Sequence, residues 1–195
     1  YYNKIQPAID EANASDTIMA YNWTFYENVD IDKPINLVGR SVDNTTIDGG
    51  ASGNVFDIYS PYVNISGFTI MNSGTAYAGI NIDSYSDNSI IFNNLITSNG
   101  RGINSPRYND HIEIHNNTIR SNSNEGIYTD DYCDYWSVND NKFYDNGYEG
   151  IEVDRYCQYW ELSNNNISSN NYQGIYVDDY AYYWTLKNNT ITSNS

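Results

Sequence analysis

The sequence predicts an all-β fold, a right-handed parallel β-helix built from coils of about 24 residues. Three observations lead to this prediction. A motif recurs at a constant step, apolar and polar residues alternate inside each unit, and no unit shows the 3.6-residue periodicity of a helix. Coils of such a solenoid stack so that each residue lies on its counterpart, and like side chains form columns.

The repeat is clearest after residue 125, where GIYTDDYCDYW, GIEVDRYCQYW and GIYVDDYAYYW follow one another. The glycine–isoleucine starts are separated by 23 or 24 residues and lie at Gly79, Gly102, Gly126, Gly150 and Gly174. Three apolar columns keep this step, namely Ile80, Ile103, Ile127, Ile151, Ile175; then Ile91, Ile114, Val138, Leu162, Leu186; and Ile96, Ile119, Phe143, Ile167, Ile191.

Asparagines also recur at this step. An inward Asn at a bend can hydrogen-bond the Asn of the coils above and below, so a structural ladder is expected at Asn94, Asn117, Asn141, Asn165 and Asn189. A parallel column is formed by Asn99, Asn122, Asn146, Asn170 and Asn194. An asparagine-rich disordered chain would lack the apolar columns that accompany these ladders.

The chain of 195 residues is expected to form one domain with three parts: a cap at 1–15, irregular first coils at 16–78 and regular coils at 79–195. In the cap, Ile5, Ala8, Ile9 and Ala12 share one helical face, and Pro7 lies near the helix start, where proline is tolerated. The helix should cover the first coil. The last coil has no such cover, so either the chain continues or another molecule covers this end.

Residues 4–74, from KIQPAIDEANASDTI through VNISGFTI, resemble the right-handed β-helix repeat proteins. This group includes carbohydrate-binding and sugar-hydrolase β-helices, and the acidic, tyrosine-rich style with many N-x-[ST] sequons is most similar to archaeal surface and cell-envelope members. The resemblance covers nearly the whole chain and implies the fold. It implies no activity, because one architecture hosts many functions and no catalytic motif of the group matches.

The composition limits the partners. The formal net charge of −16 makes nucleic acid and anionic membranes poor partners. No apolar run is long enough to span a membrane. The sequence opens with YYNKIQ, without an initiator Met or a recognisable signal sequence, and we expect this to be a processed or trimmed start. Among seven sequons, Asn22 and Asn44 lie outside the regular coils and are the better candidates for glycosylation.

Cys133 and Cys157 occupy one offset in consecutive coils, where the third copy has Ala181. Stacking places their Cα atoms about 5 Å apart, within the range for a disulfide. An intramolecular bridge is the expected state, and links between molecules and free thiols remain as alternatives. A disulfide would indicate an oxidising, extracellular location.

Charged residues also form columns. Arg107, Asp131, Arg155 and Asp179 alternate in sign one coil apart, which favours a surface ion-pair ladder over a catalytic role. The column of Asp130, Asp154 and Asp178 brings like charges about 5 Å apart. Either the neighbouring Arg155 or a bound Ca²⁺ ion would offset this repulsion, and Ca²⁺ is the one cofactor considered.

Outward tyrosines provide the remaining functional signal, a face for assembly or glycan contact formed by Tyr132, Tyr135, Tyr156, Tyr159, Tyr180 and Tyr183. Tyrosine suits both sugar stacking and protein–protein contact. We expect a non-enzymatic, extracellular structural protein that self-assembles in a cell envelope, sheath or surface filament. The alternative is a carbohydrate-binding or polysaccharide-cleaving β-helix protein, a lyase or glycosidase, which clustered acids and arginine beside the aromatic face would favour.

Overall fold

The computed structural model describes residues 3–195, which form one short helix followed by a three-sided solenoid of parallel strands. Helix α1 spans Gln6–Glu11. Each coil contributes one strand to each of three sheets, and every strand pairs with its counterparts one coil away. The expectation of a parallel β-helix with a short N-terminal helix is confirmed, and residues 102–195 contain no helix.

The first sheet has eight strands: β1 (Thr17–Ala20), β4 (Asn36–Gly39), β7 (Asn64–Ser66), β10 (Ile90–Phe92), β13 (Glu113–His115), β16 (Ser137–Asn139), β19 (Glu161–Ser163) and β22 (Thr185–Lys187). The second sheet has eight: β2 (Trp23–Tyr26), β5 (Thr45–Asp48), β8 (Thr69–Met71), β11 (Leu95–Thr97), β14 (Thr118–Arg120), β17 (Lys142–Tyr144), β20 (Asn166–Ser168) and β23 (Thr190–Thr192). The third sheet has seven: β3 (Val29–Ile31), β6 (Phe56–Ile58), β9 (Ala78–Ile82), β12 (Arg101–Ser105), β15 (Ile127–Thr129), β18 (Ile151–Val153) and β21 (Ile175–Val177).

The strand register reproduces the predicted apolar columns. Ile103 pairs with Ile127 in the third sheet, and Ile114 pairs with Val138 in the first. These side chains are fully buried, and the core is a single apolar cluster that runs along the solenoid axis. Trp136 and Trp160 join this core with nearly parallel rings whose centres lie 4.8 Å apart.

Both asparagine ladders form, and they satisfy the backbone at the bends. The Asn141 Oδ1 atom accepts hydrogen bonds from the backbone N–H (2.9 Å) and the side-chain amide (3.1 Å) of Asn117. The Asn141 amide in turn donates to the carbonyl oxygen of Ile114 at 2.8 Å. Since each Asn hydrogen-bonds both neighbouring coils, a buried bend leaves few polar groups unpaired.

Helix α1 covers the first coil only in part. It buries Ile9, and the Glu27 carboxylate accepts the backbone N–H of Ile5 at 2.6 Å. A cavity of about 790 Å³ opens between the helix and β1, and its lining includes Ile18, Met19 and Trp23. At the other end, the apolar side chains of Leu186 and Ile191 are 54% and 45% exposed.

No helix within residues 3–195 combines the length and the apolar character that a membrane span requires.

Candidate functional site

The outward face of the third sheet carries one continuous column of polar and aromatic side chains. Strand register places one residue of each coil directly over the next, and we call this set the polar column. Its members are Asp30, Asp57, Asn81, Asn104, Tyr128, Glu152 and Tyr176. At about 4.8 Å per coil the column is roughly 29 Å long.

Side-chain hydrogen bonds join the upper half of the polar column. The Asn81 amide donates to Asp57 Oδ1 at 2.9 Å, and the Asn104 amide donates to Asn81 Oδ1 at 2.7 Å. Arg101 Nη1 then donates to Asn104 Oδ1 at 3.1 Å. The amides are therefore held in fixed orientations and present their remaining donors and acceptors outward.

Arg101 links this hydrogen-bonded chain to a group of carboxylates. Its Nε atom lies 2.6 Å from Glu125 Oε2, and its guanidinium carbon lies 4.1 Å from the centre of the Tyr128 ring. The Tyr128 hydroxyl donates to Asp154 at 2.8 Å. With an ion pair, a hydrogen bond and a ring contact, the Arg101 side chain is held in one geometry.

Three glutamates, Glu125, Glu149 and Glu152, lie together beside Arg101, and we call them the Glu cluster. One carboxylate oxygen of each lies within 4.8 Å of the others. Glu125 and Glu149 are only 6% and 7% exposed, although both lie on the outer side of the solenoid. Carboxylates this close and this buried repel one another strongly unless a counter-charge is present.

The local sequence explains the position of the Glu cluster. Glu125 and Glu149 precede the glycines that start two consecutive units, at the bend before β15 and the bend before β18. A Cβ atom on Gly126 would overlap the carbonyl oxygen of Gly150, so only glycine allows the two coils to approach here. This close approach stacks Glu149 directly on Glu125.

The pKa values in this region are shifted upward. Burial, followed by the charges of Glu125 and Glu149, raises the pKa of Glu152 to about 7. Burial also raises the pKa of Asp57, against the opposing effect of its hydrogen bonds from Asn81 and Asn54. Burial and the hydrogen bond to Asp154 raise the pKa of the Tyr128 hydroxyl. Shifted carboxyl groups of this kind are common at binding and catalytic sites.

The tyrosine face predicted from the sequence is present, but its rings stack on one another. Tyr132, Tyr156 and Tyr180 belong to one ladder with ring centres 4.9–5.0 Å apart, and Tyr135, Tyr159 and Tyr183 form a second with centres 4.7–4.8 Å apart. Inside the ladders both ring faces are therefore covered by neighbouring rings. Mainly ring edges and hydroxyl groups face the solvent.

The ion pairs of the charged columns centre on Asp131. Its carboxylate oxygens lie 3.8 Å from Arg107 Nη2 and 3.6 Å from Arg155 Nε.

The aspartates considered for Ca²⁺ have separate partners. Asp130 pairs with Arg107 at 3.1 Å, Asp154 accepts the Tyr128 hydroxyl, and Asp178 accepts a backbone N–H. Among the residues that the structure describes, the carboxylates close enough to share one ion are those of the Glu cluster.

Cys133 and Cys157 stack one coil apart as predicted, but the structure contains free thiols and no disulfide between them. The backbone N–H of Cys133 donates to Cys157 Sγ at 3.3 Å. The two sulfur atoms face different partners, since Cys133 Sγ lies 3.6 Å from Ser105 Oγ and Cys157 Sγ lies 3.3 Å from the carbonyl oxygen of Asp130. Both side chains are fully buried.

Sequence reasoning missed Arg101, Glu125 and Glu149. A signal for them exists: all three precede the glycine of a unit and follow one another at 24-residue steps, with Gln173 next. Only Glu125 and Glu149 repeat a residue type in this column, between Arg101 and Gln173, and a repeat of two is too short to stand out in the sequence.

Comparisons with known proteins agree with this architecture. Residues 11–158 and 59–195 match the family model described as "Right handed beta helix region". Pectin methylesterase PemA from Erwinia chrysanthemi superposes with a TM-score of 0.63 at 11% identity, covering 91% of this chain and 62% of that one. The A-module of mannuronan C-5 epimerase AlgE4 from Azotobacter vinelandii gives a TM-score of 0.56 at 13% identity, covering 97% and 83%.

A third solved structure, the Agl-KA catalytic domain, gives a TM-score of 0.58 at 17% identity, covering 94% of this chain and 38% of that one. At these identities the likeness concerns the fold alone. The chain spans 62% of the length of PemA, less than two thirds. No curated protein matches the sequence significantly.

Proposed function

The chain belongs to the right-handed β-helix family, and from this premise we propose that it binds an extended polysaccharide along the outward face of its third sheet. The observation that carries the proposal is the polar column. Its amides are oriented by side-chain hydrogen bonds, and they lead directly to Arg101 and the Glu cluster. A linear row of fixed donors and acceptors suits a linear ligand that carries hydroxyl groups.

An aromatic side chain completes this face. Tyr176 follows Glu152 in the polar column and is 40% exposed. Unlike the tyrosines of the two ladders, it has no ring stacked on it within residues 3–195. A flat ring with a free face can pack against the apolar face of a sugar, and its hydroxyl can hydrogen-bond nearby.

The solved structures with similar folds support the proposal as analogues. Two of them are a pectin methylesterase and a mannuronan C-5 epimerase, and these names identify the polysaccharides on which those proteins act. The net charge of this chain, −16, opposes binding of an acidic polymer unless cations screen or bridge the two. A neutral polysaccharide is therefore the preferred class of ligand for the bare protein.

The test is affinity electrophoresis against a panel of neutral and acidic polysaccharides, with reducing-end release measured in parallel. The wild-type protein should be retarded by at least one polymer. Replacing both amides, Asn81→Ala with Asn104→Ala, should weaken that retardation at least tenfold, because the oriented donors are removed. Release of reducing ends would identify the bound polymer as a substrate as well.

The matched control is Asn64→Ala. Asn64 also lies on an outward strand face and donates one hydrogen bond to Asn36 Oδ1 in the preceding coil, at 2.6 Å, but it lies on the first sheet. The Asn64→Ala variant should be retarded by the polysaccharide as strongly as the wild-type protein. Equal loss in the control and the double variant, or no retardation by any polymer, would contradict the proposal.

A structural role as a self-assembling envelope or filament subunit, of the kind found in archaeal surface layers, is the second candidate. The outward tyrosine ladders favour it, because their edges and hydroxyl groups form long rows that a second copy can contact. Electron microscopy and sedimentation of the purified protein distinguish the two roles. Ordered filaments or sheets would support assembly, and a monomer at high concentration would exclude it.

An extracellular location is part of both proposals. Asn22 and Asn44 are exposed and accessible to glycosylation. In an oxidising compartment, the stacked Cys133 and Cys157 should form the disulfide that the structure lacks. Peptide mapping of native material without reductant checks both modifications, and a free thiol with unmodified asparagines would argue against the extracellular assignment.

A further inference from the structure

We propose that a row of stacked tyrosines relays one-electron oxidation along the solenoid, and we call this row the long ladder. Its members come from five consecutive coils and are Tyr85, Tyr108, Tyr132, Tyr156 and Tyr180. The long ladder follows the turns between the third and first sheets, so the relay does not depend on polysaccharide binding at the polar column. It joins two points of the surface that lie about 20 Å apart.

The ring geometry connects the five tyrosines without a break. From Tyr85 to Tyr180, neighbouring ring centres lie 5.5, 5.4, 4.9 and 5.0 Å apart, and neighbouring ring planes differ by 4–11°. Parallel rings at these distances are in contact through their faces. Such contact lets an electron pass from one ring to the next, and because the residues are identical, each step is nearly equal in energy.

The residue type makes this stack suitable for oxidation. A phenylalanine ring would stack equally well, but it has no hydroxyl proton to release and is much harder to oxidise than tyrosine. All five positions have a positive φ, between 56° and 68°, which asparagine or glycine adopts more readily than tyrosine does. Packing and backbone conformation therefore do not require a phenol in five successive coils, whereas a relay does.

The two ends of the long ladder are its most accessible members. Tyr85 is 68% exposed and Tyr180 is 52% exposed, compared with 41% for Tyr108 and 43% for Tyr132. Within residues 3–195, each end residue has a stacked ring on one side only. The net charge of −16 also attracts cationic oxidants and favours the loss of an electron from the protein.

Each event moves one electron. A one-electron oxidant, such as an oxidised metal complex or the oxidised haem of a peroxidase, takes an electron from Tyr180, and the hydroxyl proton passes to water. Each oxidised tyrosine then takes an electron from the next ring and a proton from water, until Tyr85 is the oxidised residue. A phenol or thiol in solution supplies the last electron there, so the ladder returns to its starting state.

Tethered photo-oxidation tests the relay. Asp179→Cys places an exposed thiol beside Tyr180, and a ruthenium polypyridyl complex attached to it becomes a one-electron oxidant on illumination with a sacrificial electron acceptor. Cys133 and Cys157 are fully buried and should not be labelled by the complex. A phenolic radical trap then marks the oxidised tyrosines, which peptide mass spectrometry locates. We expect marking at Tyr85 as well as at Tyr180.

Tyr108→Phe, made in the tethered protein, keeps the stacked ring and interrupts the relay, because Tyr108 is the one ring stacked on Tyr85 within residues 3–195. Marking of Tyr85 should fall at least tenfold. The matched control is Tyr148→Phe, which changes a tyrosine stacked on Tyr172 in a different turn and should leave the marking of Tyr85 unchanged.

Tyr26 is the internal reference for oxidant that diffuses through the solution, because it is 73% exposed and lies far from the long ladder on the second sheet. It should be marked at least tenfold less than Tyr85. Absence of marking at Tyr85, equal marking of Tyr26 and Tyr85, or full marking of Tyr85 in Tyr108→Phe would overturn the proposal. None of these results bears on polysaccharide binding by the amides of the polar column.

Discussion

Asn141 shows how single side chains hold the solenoid together. It is 1% exposed, and its amide group hydrogen-bonds the coil before it and the coil after it. Replacement by alanine would leave buried backbone and amide groups on both sides without partners. Since each unsatisfied buried group costs about 1–3 kcal/mol, we expect Asn141→Ala to lower the free energy of unfolding by about 2–4 kcal/mol, measured by denaturant titration.

The control for this prediction is Asn189→Ala at the last rung of the same ladder. Asn189 makes equivalent bonds to Asn165 and Leu162, but it is partly exposed, so water can replace the lost groups. The decrease in the free energy of unfolding caused by Asn189→Ala should be less than half the decrease caused by Asn141→Ala. Equal losses at the two positions would show that burial of the ladder is not the source of its stability.

Asp57 provides a prediction about pH. Because its folded-state pKa is raised above the ordinary value, the folded protein keeps the proton to higher pH than the unfolded chain does. Protonation of Asp57 therefore stabilises the folded state most at low pH, and this stabilisation is lost as the pH rises from the ordinary pKa of about 3.8 through the raised pKa of the folded state. Asp57→Asn retains an oxygen to accept the bonds from Asn54 and Asn81. It should therefore unfold at a higher temperature than the wild-type protein at pH 7 and at a similar temperature at pH 3.

Individual residues also show where the sequence is informative. The columns of Ile114 and Asn117 were predictable because core packing and bend hydrogen bonds impose the same requirement on every coil. Outward positions are free of that requirement. Arg101, Glu125 and Glu149 share a column in which an arginine precedes two glutamates, so no residue type repeats along its full length to mark it as a site.

At the level of the structural element, the turns between the third and first sheets have an unusual backbone. Both tyrosine ladders consist of residues with positive φ, for example 64° at Tyr156 and 59° at Tyr159. This left-handed conformation costs a residue with a side chain roughly 1–2 kcal/mol, and asparagine or glycine usually occupies it. Ring stacking contributes about 0.5–1.5 kcal/mol per pair, which is sufficient to offset the cost.

Substitutions at Tyr159 can separate these two effects. Tyr159→Ala loses two ring contacts and keeps the strained backbone, whereas Tyr159→Gly loses the contacts and relieves the strain. We expect the glycine variant to be more stable than the alanine variant by about 1 kcal/mol, measured by denaturant unfolding. The wild-type protein should be at least as stable as either.

Tyr148 is the matched control, since it stacks on Tyr172 at 5.0 Å without a positive φ. There, glycine has no strain to relieve and costs more backbone entropy, so the alanine variant should be the more stable one. The same order of stability at both positions would contradict the strain argument.

The sequence predicted the alignment and outward direction of the tyrosines but not their availability for ligands. Alternation counted back from the neighbouring strand indicated which side of the coil these turn residues face. It does not fix the ring plane, which depends on side-chain torsions and on the turn conformation. The parallel stacking of Tyr135 on Tyr159, with planes 3° apart, therefore emerges only from the structure.

At the scale of the whole molecule, the stacked coils distribute an excess of negative charge along the length of the solenoid. The chain has nine basic and 25 acidic residues, and in the last coils Asp130, Asp154 and Asp178 repeat a negative charge about 5 Å apart along one column. Self-repulsion of this kind destabilises the compact state and is screened by salt. We expect the unfolding temperature in calcium-free buffer to rise steadily between about 0.01 and 0.5 M NaCl, where the Debye length falls from about 30 Å to a few Å.

Two charge variants make this last prediction specific. Asp178→Asn with Asp179→Asn removes two neighbouring acidic groups and should raise the unfolding temperature at low salt by roughly 2–4 °C, about 1 kcal/mol for a chain of this size. Lys187→Gln removes an exposed cation from β22 and should lower it. Both differences should vanish at high salt, because screening acts on the field of the whole rod. Persistence of either difference at about 0.5 M NaCl would assign the effect to local contacts instead of to the net charge.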